Sequence, residues 1–125
     1  MRDQPRLYSV DLSVCQALHA FDHSSLAEAF ASALISAGAT IVHRAMHAFP
    51  QTGLTCVLIL AESHAVLHTW PETSTVNIDI FSCSPRLKSL AAISELGRLL
   101  GARDISVQEI ARADGHSHAP VLARL

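Results

Sequence analysis

The chain has 125 residues, half of them apolar and 16% charged, with a formal net charge of −2. That length suits one domain around a single core, spanning residues 1–125, and the composition leaves little room for extended disorder. The densest basic stretch is the loose Arg86/Lys88 pair, which excludes nucleic acid as a main partner because phosphate neutralisation needs clustered cations.

The N-terminus, "MRDQPRLYSVDLS", has no apolar core of a signal peptide, and the longest apolar run, "GLTCVLILA", is too short to span a bilayer. The expectation is a cytoplasmic protein without a membrane partner. Tyr8, Val10 and Leu12 alternate with polar residues and predict a first strand. "SLAE" at Ser25–Glu28 has capping-box spacing, Leu26, Phe30 and Leu34 recur on one helical face, and Gly38 is a natural stop. Residues 39–49 read as a second strand, and 54–61 as a continuous apolar run typical of a buried strand. Strands follow at 65–70 and at 75–81, where Val76, Ile78 and Ile80 share one face and Asn77 and Asp79 the other.

Ser84 then reads as the N-cap and Pro85 as the first residue of a second helix, with Leu90, Ile93, Leu96 and Leu100 inward and Gly101 as its end. Ile105 and Val107 mark a short last strand, and residues from about 111 to 125 read as a flexible tail. The order β-α-β-β-β-β-α-β predicts an α+β two-layer sandwich, a largely antiparallel sheet with two helices packed on one face.

The chemistry-bearing residues crowd into "ESHAVLHTWPE", residues 62–72. His43/His47 and His64/His68 have the i, i+4 spacing that on a helix would serve one metal. On strands the same spacing separates the rings by about 13 Å, so no metal site is expected. His116 and His118 read as solvated tail residues. Cys15, Cys56 and Cys83 lie far apart without a CxxC, which indicates neither a disulfide framework nor a cysteine zinc site. Ser63 lies between Glu62 and His64, but strand neighbours point to opposite faces and no GxSxG elbow is present, so a serine-hydrolase triad is disfavoured. Cys83, one residue before the expected helix cap, would have its thiolate favoured by the helix dipole; the alternative is a small buried hydrophobe. Trp70 and Phe49 are core aromatics by default, or stacking surfaces for a planar ligand.

Taken together, "AESHAVLHTWPE", preceded by "HAFPQTGLT" and followed by "VNIDIFSC", resembles the self-processing segment of the short prokaryotic S-adenosylmethionine decarboxylases. The likeness extends over roughly residues 7–110. It implies that Ser63 attacks the carbonyl of Glu62, that the resulting ester eliminates, and that position 63 becomes a pyruvoyl group heading a second chain. That group would form a Schiff base with the substrate amine and act as electron sink for decarboxylation, with no metal required. By the same resemblance His68 is the proton acceptor in processing, Thr55 stands where the family generally has serine and supports processing, and Cys83 is the proton donor in turnover. Phe49 would stack on adenine and Glu72 would hydrogen-bond ribose. The implied product is the aminopropyl donor for spermidine synthesis, and the implied assembly a homodimer of processed protomers with sites built across the interface.

Two departures stand out. The family's Gly-Tyr after HTWPE is missing, the Tyr position being Thr75, and a glycine after the cysteine is Ser84. Relatives that have moved to L-ornithine or L-arginine, and an unprocessed non-catalytic paralogue acting as a binding or regulatory subunit, are therefore the alternatives.

Overall fold

Alternation of apolar and polar residues governs most of the chain, and the computed structural model, which describes residues 4–50, 53–116 and 121–125, turns it into six strands. They are β1 (Arg6–Cys15), β2 (Ile41–Ala48), β3 (Leu54–Leu60), β4 (Ser63–Trp70), β5 (Thr75–Ser82) and β6 (Ala102–Ala111), with helices α1 (His23–Ser36) and α2 (Ser89–Leu100). All pair antiparallel in one sheet of order β2-β3-β4-β5-β1-β6. The helices pack against each other on one face, where Phe30, Leu34, Ile93, Leu96 and Leu100 meet Val10, Leu12, Leu58, Leu67 and Ile78 in the core. The expected sandwich and element order are what the chain adopts.

Several local expectations change. The first helix is capped by Asp22, not Ser25: the Asp22 carboxylate accepts from the Ser25 amide at 2.7 Å, and the Asp22 amide donates to Ser25 Oγ at 3.0 Å. Ser25 is thus the N3 partner of a reciprocal capping box. Hydrogen bonding from Ser25 to the charged carboxylate, its backbone amide first, holds the Asp22 carboxyl below its ordinary range.

The second helix starts at Ser89, five residues after the expected cap. Ser84 Oγ accepts from the Arg86 amide at 3.2 Å, so the Ser-Pro pair closes a local turn in place of a helix. Cys83 consequently does not sit at a helix N-terminus, and the dipole argument for its thiolate falls away. Ile93, Leu96 and Leu100 are buried, but Leu90, in the first turn at the edge of the buried stripe, is 57% exposed. Gly101 ends the helix in the left-handed region, φ 65°, as its position predicted.

β3 alternates, with Leu54, Cys56, Leu58 and Leu60 buried and Ile59 46% exposed, since no layer covers the other face of the sheet. Trp70 and Phe49 project from that uncovered side of the structure, 43% and 39% exposed, and are not core aromatics. β6 is ten residues long because it pairs with nearly all of β1. It runs through Ala111, the first residue of the expected tail, and the Arg112 amide donates to Pro5 O at 2.8 Å. The His116 amide donates to Asp114 Oδ1 at 2.8 Å, while His118 lies outside the described residues. No described helix is long and apolar enough to cross a membrane.

Candidate functional site

β3 and β4 are joined by the two residues Ala61 and Glu62, since Leu60 pairs with Ser63. So short a reversal needs an unusual backbone, and Glu62 supplies it with φ 60°. A side-chain-bearing residue in the left-handed region stores about 1–2 kcal/mol of local strain, held by the ladder on either side. The strained residue carries the carbonyl that the resemblance marks for attack.

Ser63 opens β4 on the face that Ala65, Leu67 and Thr69 bury against the helices. Among the described residues, its Oγ is the one buried side-chain oxygen or nitrogen without a hydrogen-bond partner. A buried orphan hydroxyl is costly, and such groups concentrate at reactive positions. Cys83, buried at the end of β5, points its thiol at the same peptide: Sγ donates to Glu62 O at 3.6 Å. Three of the expected residues, Glu62, Ser63 and Cys83, therefore meet.

They line a cleft of about 420 Å³, walled also by Gly38, Ser84 and Arg86. Gly38 is indispensable to that wall, because its φ is 109° and a Cβ there would stand 2.2 Å from Arg86 O. The Lys88 amide donates to Ala37 O at 2.8 Å, tying the 83–88 loop to the end of α1. Sequence reading missed this wall. Gly38 carried the only signal, and it was absorbed as a helix stop.

The other expected residues assemble elsewhere. Thr55 and His68 face each other across β3 and β4, and Thr55 Oγ1 shares a hydrogen bond with His68 Nδ1 at 2.6 Å. Trp70 packs edge-on to His68 with centroids 4.5 Å apart, Phe49 stands 6.2 Å from the same ring, and His47 lies 4.7 Å from Phe49. Glu72 follows on a single 3-10 turn, Pro71–Thr73. His68 lies on the uncovered face of the sheet and Ser63 on the covered one. Five residues of strand add about 16 Å of separation. Within one chain, His68 is out of reach of Ser63.

The histidine pairs lie on strands β2 and β4, as expected, and the members of each pair are too far apart to share an ion. Among the described residues no three His, Cys, Asp or Glu side chains are placed to hold a metal. Ser74, at the position of the missing family glycine, occupies the left-handed region with φ 52°. The geometry there asks for glycine, and the chain keeps the turn with serine.

Comparison with known proteins adds three findings. Residues 6–113 match the family model described as S-adenosylmethionine decarboxylase. An S-adenosylmethionine decarboxylase proenzyme of Pseudomonas aeruginosa is 34% identical over 97 residues, covering 78% of this chain and 61% of that relative; a proenzyme of Clostridium tetani is 31% identical over 98 residues, covering 78% of each. The chain thus spans only 61% of the length of the Pseudomonas relative. The crystal structure of the adenosylmethionine decarboxylase from Aquifex aeolicus superposes with a TM-score of 0.75 at 23% identity, covering 94% of this chain and 99% of that one, a likeness of fold.

Proposed function

The chain belongs to the S-adenosylmethionine decarboxylase family, and from that premise we propose that it is a self-cleaving, pyruvoyl-dependent decarboxylase of S-adenosylmethionine. The observation that carries the reading is the Glu62–Ser63 peptide: a left-handed Glu62, an orphaned Ser63 hydroxyl and a thiol on the Glu62 carbonyl.

Self-cleavage begins as Ser63 Oγ adds to the Glu62 carbonyl carbon. The charge that develops on the carbonyl oxygen is met by the Cys83 S–H, already directed at it. Breaking the C–N bond gives an ester and frees the amine of residue 63. Loss of the Cα proton with rupture of the Cβ–Oγ bond then releases residues 1–62 as a carboxylate, and the dehydroalanine left behind tautomerises and hydrolyses to pyruvoyl and ammonia. A pyruvoyl group at position 63 supplies the electron sink for decarboxylation. The chain's residues fit it, because the hydroxyl that must be consumed is the one with no structural partner. Cys83 lines the cleft beside position 63, and in turnover it would return a proton to the substrate carbon. Phe49 and Glu72 would hold the nucleoside, and the product is the aminopropyl donor for spermidine synthesis.

The base for the elimination must come from a second copy, since His68 of the same chain is about 16 Å away on the opposite face. A homodimer in which the partner's His68 and Thr55 approach the Glu62–Ser63 turn satisfies that requirement. It would also cover exposed apolar groups such as Phe49, Ile59, Trp70 and Ile110.

Coexpression of differently tagged Ser63→Ala and His68→Ala chains tests both parts. Neither variant is expected to cleave alone, while in the mixture the His68→Ala chain is cut between residues 62 and 63, as read by intact mass. No cutting in a mixture shown to associate would overturn the cross-protomer arrangement, and an uncut wild-type chain after long incubation would overturn the enzyme reading. Carbon dioxide release from S-adenosylmethionine, L-ornithine and L-arginine in parallel assigns the substrate.

A further inference from the structure

The uncovered face of the sheet carries an ordered row of polar residues that self-cleavage, as described, does not use. Starting from His68, the cross-strand partner on β5 is Asn77, and the partner of Asn77 on β1 is Asp11. Trp70, two residues beyond His68 on the same face, reaches diagonally across: its indole Nε1–H donates to Asn77 Oδ1 at 2.6 Å. Asn77 Nδ2 donates in turn to Asp11 Oδ1 at 2.7 Å. The direction of this chain is fixed by chemistry, because an indole N–H can only donate and a carboxylate can only accept. The amide between them can satisfy both in one orientation alone. Trp70 is thereby held through its indole N–H while the ring packs on His68 with ring planes 65° apart.

His68 itself makes one short hydrogen bond, through Nδ1 to Thr55. A single bond leaves an imidazole free to swing about it, and packing against the indole removes that freedom. We infer that Asp11, Asn77 and Trp70 form a positioning chain that fixes the imidazole of His68, with Asp11 and Asn77 acting through the indole and touching neither substrate nor scissile bond. The role in processing rests on the reading of His68 as the proton acceptor.

Trp70 is the chain's single tryptophan, so its emission reports on this contact without labelling. In the uncleaved Ser63→Ala protein, His68→Gln is expected to change the Trp70 emission, because the ring packed on the indole is replaced. His47, the other imidazole of the aromatic cluster, packs on Phe49, and His47→Gln is the control. Asn77→Leu is expected to red-shift the emission as the freed indole meets water. In the otherwise wild-type chain it should slow self-cleavage about fivefold, the worth of one ordinary hydrogen bond. Asp11→Asn, whose amide oxygen still accepts, should recover most of the rate, while Asp11→Leu should not.

Unchanged emission in a folded Asn77→Leu protein would overturn the positioning chain, as would slowed cleavage with the Trp70 signal unmoved. The premise fails separately: if His68→Gln cleaves at the wild-type rate, His68 is not the proton acceptor, whatever the fluorescence shows.

Discussion

If strain at Glu62 helps drive self-cleavage, relieving it should stabilise the precursor and slow its reaction by related amounts. Glycine accepts φ 60° at no steric cost, whereas alanine pays the same left-handed penalty as glutamate. Comparing Glu62→Gly with Glu62→Ala therefore removes the side chain from both variants and isolates the backbone. About 1 kcal/mol of relief is expected, net of the greater unfolded-state freedom of glycine. In the Ser63→Ala background this should appear as a higher urea midpoint for the glycine variant at equal slope. With Ser63 intact, the same energy corresponds to cleavage up to about fivefold slower for glycine than for alanine, because strain released on the way to the transition state no longer lowers the barrier. The assay is intact mass against time after rapid purification. A glycine variant that is more stable yet cleaves as fast as the alanine variant would refute the reasoning and leave the left-handed turn a purely structural requirement.

Three further outcomes follow from the fold. Ser74→Gly, at the left-handed residue before β5, should raise stability by about 0.5–1 kcal/mol in urea titration, since serine is strained there and glycine is not. Thr69→Val should cost about 1–3 kcal/mol by the same measurement, because the buried Leu54 amide loses its acceptor, Thr69 Oγ1 at 2.9 Å. Asp22 has a depressed folded-state pKa, so its contribution is present above its ordinary value of 3.8 and is lost as pH falls through the lower folded value. Asp22→Asn, which caps without titrating, should narrow the difference in thermal midpoint between pH 7 and pH 3.

The order of elements along the chain and the helix count were legible because side-chain alternation and helical periodicity dominate this chain, as in Val76, Ile78 and Ile80 on one side of β5 and Asn77 and Asp79 on the other. The start of α2 was not, because Ser84-Pro85 carries the same local signal for a helix cap and for a self-contained turn. Nearby contacts decide between them: the 83–88 loop is drawn back onto the end of α1. Parity along β4 already separated Ser63 from His68, five positions apart and hence on opposite faces. The sheet adds which face each takes: Ser63 with the buried residues of β4 and His68 with the uncovered side. The Asp11–Asn77–Trp70 chain was invisible for another reason. It depends on β1 lying beside β5, a pairing between segments more than sixty residues apart that no local pattern announces.

The topology also accounts for how a domain of this size could survive being cut at its middle. Cleavage between Glu62 and Ser63, as proposed, would leave one fragment with β1, α1, β2 and β3 and another with β4, β5, α2 and β6. In the sheet these do not lie side by side as two halves. The order β2-β3-β4-β5-β1-β6 places β1 of the first fragment between β5 and β6 of the second, while β3 and β4 remain paired across the cut. The helices are shared in the same way, since α1 packs on α2. Separating the fragments would expose nearly the whole core at once, so the cut costs little beyond the tether. What it would remove is the constraint on one turn, the left-handed Glu62, and the strain would be released at the start of β4, where the proposed pyruvoyl group would stand.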